Sequence, residues 1–334
     1  MARKIIIDTD PGQDDAVAIL LALASPELEV LGLSIVAGNV PLHHTVNNAL
    51  MICELAGRPD LPVYAGCDAP ISRRLVTAEH VHGKTGLDGI VLPAPAMQAR
   101  PGHAVDFLIE TLRREAPGTV TLVPIGPLTN IATAFARAPD IVSRVQEIVL
   151  MGGAYFEVGN ITPAAEFNIF VDPEAASRVF NSGMHVKMTG INLTRQCELT
   201  AKHVAKFREI GTKAANLAAD LTDFFIGACE EESELTGATM HDACAVAWVI
   251  DPSLITAVPM HIDIELHGSV HRNYCTKCNK FFDARNAAHA GTNAEEKENL
   301  QKKRDIIEEL KKIANDASED ARDKVQELAD KYNA

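Results

Sequence analysis

The chain has 334 residues, 47% of them apolar, and a formal net charge of −14. That length suits one large α/β domain or two ordinary ones with a sizeable core, and the acidic balance excludes polyanionic partners such as DNA or RNA, whose binding rests on neutralising phosphates. Small neutral substrates stay open; no stretch is long and apolar enough to span a membrane, and the chain enters its first strand with no apolar signal segment before it.

Residues 5–7, Ile5-Ile6-Ile7, read as a buried strand, because β-branched side chains suit a pleated core and three in a row leave no polar face. Pro11-Gly12 ends it, and Asp14 and Asp15 open a helix running to Ala24. Asp8, Asp10, Asp14 and Asp15 thus place four carboxylates within eight positions at a strand's carboxyl end. Alone, Asp14 and Asp15 read as helix-capping acids. All four together point to a hard cation held by oxygen ligands, Ca²⁺ or Mg²⁺. A second strand is predicted over 29–36, a helix over 44–56, a helix over 105–114, a strand over 119–125 and a helix over 128–138. Then come a short strand over 147–150, a helix over 173–180, a strand over 185–191, a helix over 241–250 and a strand over 257–265. Alternation of this kind predicts an α/β fold with a mostly parallel open sheet flanked by helices, its strand-following loops gathered on one rim.

Other chemistry-bearing residues stand at the same kind of position. Asn39 ends the second strand, Ile125-Gly126 ends a central one, and Asn160, Glu166 and Asn168 fall in a segment of little apolar periodicity, read as a loop. His241-Asp242 opens the last long helix. Read singly, Asn39 and Asn160 suit turns and Asp242 suits an N-cap beside a surface His241. Asn168, between Phe167 and Ile169-Phe170, needs hydrogen-bond partners if buried, which favours a ligand contact.

Together these segments resemble the inosine–uridine preferring nucleoside hydrolases over about residues 2–267. The matching segments are Asp8-Thr9-Asp10-Pro11-Gly12-x-Asp14-Asp15-Ala16, Val36-Ala37-Gly38-Asn39, His82-Gly83-x-x-Gly86-Leu87-Asp88-Gly89 and Gly126-Pro127-Leu128-Thr129-Asn130. Met151-Gly152-Gly153, Ala165-Glu166-Phe167-Asn168 and Met240-His241-Asp242-Ala243 complete the set in order. The resemblance implies hydrolysis of the N-glycosidic bond of ribonucleosides through an oxocarbenium-like transition state, in nucleoside salvage. It implies Ca²⁺ bound by Asp10, Asp15, Asp242 and the Ile125 carbonyl, with Asp10 also the general base. It places Asp14, Asn39, Asn160, Glu166, Asn168 and Asp242 on the ribose, His241 as acid for the departing base, and His82 near the base. A homodimer or homotetramer is implied as well.

Residues 222–239 stand where that resemblance implies cover over the nucleobase, with aromatic or amide side chains late in the segment; Glu230-Glu231-Glu232-Ser233-Glu234 supply none. After His267 the character changes. Residues 268–293 form an irregular segment with one Cys275-x-x-Cys278, resembling the first half of a sirtuin zinc module near 267–283, where His267, His271 or His289 are the candidate completing ligands. Residues 294–334 read as an amphipathic charged helical tail of foreign origin. The seven cysteines, odd in number and dispersed, suggest reduced thiols and a cytoplasmic protein. Two other readings stay open: a composite protein that binds nucleoside without turnover, and a haloacid-dehalogenase-type phosphatase using Asp8 as nucleophile and Asp10 as acid/base.

Overall fold

The computed structural model describes residues 2–90, 92–155, 157–232 and 237–266. The isoleucine run belongs to strand β1 (Arg3–Thr9), and helix α1 (Gln13–Ala24) begins directly after Pro11-Gly12. Next come β2 (Leu28–Ile35), α2 (Leu42–Leu55), β3 (Val63–Ala65), the single turn α3 (Glu79–His82) and α4 (Ala104–Arg114). Strand β4 (Val120–Pro124), α5 (Thr129–Arg137), β5 (Val145–Met151), the short α6 (Phe167–Val171) and α7 (Pro173–Phe180) follow. The chain continues through β6 (Val186–Thr189), α8 (Ile191–Thr194), β7 (Glu198–Leu199), α9 (Ala201–Ile210), α10 (Lys213–Glu232), β8 (Ala238–Thr239) and α11 (His241–Ile250).

Six strands form one sheet in the order β3-β2-β1-β4-β5-β6, and every pairing in it is parallel. Side chains alternate between its two faces, as the period of two requires. Ile5, Ile7, Val123 and Val149 join one buried cluster with α1, α2 and α11, while Ile6, Leu122, Ile148 and Leu150 join the opposite one with α4, α5 and α7. Strands buried on both faces read as continuous apolar runs, which is why residues 5–7 carry no polar alternation. The chain winds outward from β1 through β2 to β3, then returns to β4 on the other side of β1. That reversal opens a crevice at the carboxyl ends of β1 and β4, where open α/β sheets take their ligands. Among the described residues, no helix is long and apolar enough to cross a membrane.

Two sequence expectations are corrected. Residues 257–265 form no strand; the segment is irregular, with Val258 69% and Met260 41% exposed. Its alternating Val258, Met260, Ile262 and Ile264 satisfy a period of two, but alternation reports side-chain facing and cannot supply a hydrogen-bonded neighbour. Glu166 and Asn168 lie at and within α6, not in a loop; a helix of five residues is too short to show a period of 3.6. The lone Cys275-x-x-Cys278, its candidate histidines and the tail over 294–334 fall outside the described residues.

Candidate active site

The β1–α1 turn brings carboxylates into the crevice from below. Asp10 follows β1 directly, and Asp14 and Asp15 stand in the first turn of α1; all three are buried. Asp242 reaches the same place from the first turn of α11 and is buried too. Carboxylate oxygens of Asp14, Asp15 and Asp242 all lie within 4.8 Å of one another. Burial, then the charge of Asp15, pushes Asp10 well above the ordinary carboxylate range. Burial, then the same neighbour, pushes Asp14 up to about 8. Asp15 is raised by burial, and Asp242 is raised well above its ordinary value by burial and then by the charges of Asp14, Asp15 and Asp10. Like charges packed out of water cannot all ionise without a counter-charge.

Each carboxylate is nevertheless positioned. The backbone N–H of Asn39 donates to Asp10 Oδ2 at 2.7 Å. The Asn39 amide donates to the Asp10 carbonyl and to Asp15 Oδ2, both at 3.1 Å. Asp15 also caps its own helix, accepting the Gly12 N–H at 3.0 Å, so the capping reading of that residue holds beside the site reading. Asp10 Oδ1, by contrast, is buried with no hydrogen-bond partner. An orphaned carboxylate oxygen is costly, and with three converging neighbours it fits a hard cation and an all-oxygen donor set. Asp10 lies outside the tight group of three, and Asp14 lies inside it, as the four-carboxylate reading allows, although the family resemblance implies Asp14 on the ribose.

The backbone is cut close around Asp10. A Cβ on Gly38 would stand 2.0 Å from Asp10 Oδ2, and one on Gly126 would stand 2.3 Å from Asp10 Oδ1. Gly126→Ala is therefore expected to displace the Asp10 carboxylate and cut turnover by about 100-fold, the scale of a misplacement near 1 Å. Steady-state kinetics with a near-native circular dichroism spectrum would show it; unchanged turnover would mean that Asp10 adapts freely.

Above the carboxylates is a cavity of about 320 Å³, whose lining includes Asp14, Asn39, His82, Asn160, Glu166, Asn168, His241 and Asp242, together with Ile125. Glu166 N-caps α6, accepting from Asn168 N–H at 2.8 Å and from Gly153 N–H at 2.9 Å. The Asn160 side-chain oxygen accepts the Phe167 N–H at 2.8 Å. The Asn168 amide donates to the Ile125 carbonyl at 3.0 Å and to the Met151 carbonyl at 3.3 Å. These bonds tie the 160–168 segment to the ends of β4 and β5 and fix its polar side chains on the cavity wall.

The opposite wall carries the histidines. His82 Nδ1 is 2.6 Å from Gln13 Oε1, and its ring stacks on Phe225 with centroids 5.8 Å apart. His241 Nδ1 is 2.7 Å from the Thr194 hydroxyl, which leaves Nε2 as the uncommitted ring nitrogen. Burial, then the two neighbouring histidines, holds His82 down at about 3; burial, then Arg195, holds His241 down at about 4. Both rings are neutral near pH 7. Phe225, Arg195 and Thr194 were missed from sequence. Phe225 places an aromatic side chain on the cavity lining, from the middle of α10 and not from late in the 222–239 segment. The side chains over 230–236 lie outside the described residues.

Asp8 does not line the cavity. Its carboxylate accepts from the Ser34 hydroxyl and from the Asn130 amide, the latter at 3.0 Å. Asn130 also donates to the Ile35 carbonyl at 3.1 Å and accepts the Cys67 N–H at 2.8 Å. The motif ending in Asn130 thus ties β1 to β2 beneath the site through Asp8 Oδ2, while Asp8 Oδ1 is buried without a partner, and the nucleophile of the phosphatase reading does not reach the cavity.

The comparisons with known proteins agree with this geometry. The inosine-uridine preferring nucleoside hydrolase family profile matches residues 5–312. The match continues past residue 267, so the reading of 267–283 and the tail as foreign material is not supported. The chain is 47% identical over 270 residues to a pyrimidine-specific ribonucleoside hydrolase RihA of Photobacterium profundum, covering 80% of this chain and 86% of the relative. It is 45% identical over 271 residues to an inosine-uridine preferring nucleoside hydrolase of Leishmania major, covering 81% and 86%. Its fold is similar to that of a purine-preferring ribonucleoside hydrolase from Gardnerella vaginalis, with a TM-score of 0.77, 38% identity and coverage of 80% and 86%. A parallel sheet whose switch-point crevice gathers carboxylates, amides and histidines, matched over nearly the whole described chain, makes this protein a member of the inosine-uridine preferring nucleoside hydrolase family and a ribonucleoside hydrolase by class.

Proposed function

We propose that the chain hydrolyses ribonucleosides to ribose and free base in a calcium-dependent reaction. Asp10, Asp15, Asp242 and the Ile125 carbonyl would hold the cation, and the closeness of Asp14 adds a fourth carboxylate to its surroundings. The observation that carries this reading is the buried Asp14–Asp15–Asp242 cluster, of which Asp14 and Asp242 line a cavity of about 320 Å³, together with the buried, partnerless Asp10 Oδ1. When bound, the cation offsets the carboxylate charge and supplies a water of lowered pKa.

The protein's own groups do the rest. Asp10 accepts the proton of the attacking water. Asp14, Asn39, Asn160, Glu166, Asn168 and Asp242 hold the ribose hydroxyls and bear on the ring as positive charge develops there. Groups of this kind discriminate against 2′-deoxy substrates, since a missing hydroxyl leaves buried partners unpaired. His82 and Phe225 flank the base. His241, neutral at rest, donates from Nε2 only as negative charge builds on the departing base. The reading also includes a cytoplasmic location, assembly as a homodimer or homotetramer, and a catalytic domain over 1–267.

Ribose release from inosine, uridine, cytidine and adenosine, with and without a calcium chelator, tests it. Chelator-sensitive release is the expected result; ligand-induced thermal stabilisation without product would favour nucleoside binding without turnover. His241→Ala is expected to slow inosine by about 100-fold or more and p-nitrophenyl riboside far less, because that leaving group needs no proton. Equal losses on both substrates would remove His241 from the acid role.

A further inference from the structure

Two cysteines sit behind the histidine wall, and the proposed chemistry uses neither. Cys197 precedes β7, and Cys244 lies one turn into α11. The β7–β8 ladder sets Glu198 opposite Thr239 and Leu199 opposite Ala238. It continues one step further, with the Met240 N–H donating to the Cys197 carbonyl at 2.9 Å. The Cys244 thiol donates to the Met240 carbonyl at 3.2 Å. Both cysteines therefore converge on Met240, one exposed and one buried. Burial, then the neighbouring Cys197 side chain, pushes the Cys244 thiol up. Cys53 and Cys67 are raised by burial, to about 12 and about 11, and are poor nucleophiles.

The same two segments carry the Thr194–His241 contact at 2.7 Å. Thr194 stands three residues before Cys197, and His241 three before Cys244. A link between the thiols closes on the joint that seats His241.

We propose that Cys197 and Cys244 form a reversible oxidation site whose disulfide changes the seating of α11. Hydrogen peroxide is the oxidant. The Cys197 thiolate attacks one peroxide oxygen; the O–O bond breaks, giving the sulfenic acid and, after protonation, water. The Cys244 sulfur then attacks the sulfenic sulfur and loses its proton; the S–O bond breaks and a second water leaves. Two thiols are oxidised by two electrons, and one peroxide is reduced to two waters. The sulfurs must close to a bond of about 2.05 Å. That contraction draws the first turn of α11, with His241 and Asp242, toward β7.

The test takes the reduced full-length chain, treats it with mild hydrogen peroxide, and follows peptide mapping under non-reducing conditions alongside ribose release. The expected result is a Cys197–Cys244 cross-linked peptide about 2 Da lighter than the two thiol peptides together. Turnover falls by about tenfold or more and returns with dithiothreitol. Cys197→Ser, a substitution at an exposed position, yields no cross-link and keeps its turnover under the same treatment. Cys244→Ala stops at the Cys197 sulfenic acid, which dimedone traps. Absence of the cross-link under peroxide that oxidises other thiols overturns the proposal, as does an equal loss of turnover in Cys197→Ser. The consequence for turnover rests on the hydrolase reading, but the cross-link is read by mass and stands or falls apart from it.

Discussion

Asp10→Asn is expected to lower kcat on inosine by about 10²–10⁴-fold, the contribution of a positioned general base, and to weaken calcium binding in the same protein. The replacement keeps the volume and one oxygen, so the backbone hydrogen bond from Asn39 at 2.7 Å can persist. What it removes is charge and the partnerless Oδ1. The two roles separate in one experiment, with kcat measured at saturating calcium and affinity by titration calorimetry. A kcat restored to the parent value by raising calcium would leave Asp10 a ligand only. Full activity at ordinary calcium would remove it from the mechanism.

Removing the cation is expected to lower Tm by several degrees, and the loss should grow as pH rises. Burial pushes Asp14 up to about 8 and raises Asp10, Asp15 and Asp242 as well. In the metal-free fold these groups bind protons more tightly than in the unfolded chain, where a carboxyl titrates near 3.9. Their contribution to stability is therefore full below about pH 3.9 and is lost as pH rises through the folded values. Asp8, raised to about 7 by burial, acts in the same direction. His82 and His241 act oppositely: their folded values are lowered, so they cost stability as pH falls below about 6.5. The interval from about pH 6.5 to 8 isolates the carboxylates. Calcium favours their ionised forms and, at about a hundred times its Kd, contributes about 2.7 kcal/mol, at about 2–4 °C per kcal/mol for a domain of this size. Thermal melts of chelator-stripped and calcium-loaded protein should diverge across that interval. Parallel profiles would mean that the cation does not neutralise this cluster.

Much of this site was legible in the sequence because local rules fixed it. An apolar run broken by Pro-Gly and followed by acids can only be a buried strand, a turn and a helix start, so Asp10, Asp14 and Asp15 had to meet at a strand's carboxyl end. The same logic placed Asn39, Ile125 and His241-Asp242 at element ends, and the family resemblance grouped them. Local pattern failed where hydrogen-bonded neighbours or short elements decide. Residues 257–265 alternate like a strand yet pair with none among the described residues, and α6 is too short to announce itself.

Tertiary structure alone decided how the charges divide. It sent Asp8 to Ser34 and Asn130, away from the cavity, although Asp8 stands only two positions before Asp10. It brought Asp14 within 4.8 Å of Asp15 and Asp242, across 228 positions of sequence between Asp14 and Asp242. It put Thr194 on His241 and Phe225 on His82. Periodicity carries information over a few residues, because it reports which face of one element is buried. Which carboxylate is left without a partner depends on every element packed around it, and that is settled only when β1, β4 and α11 close on the same crevice.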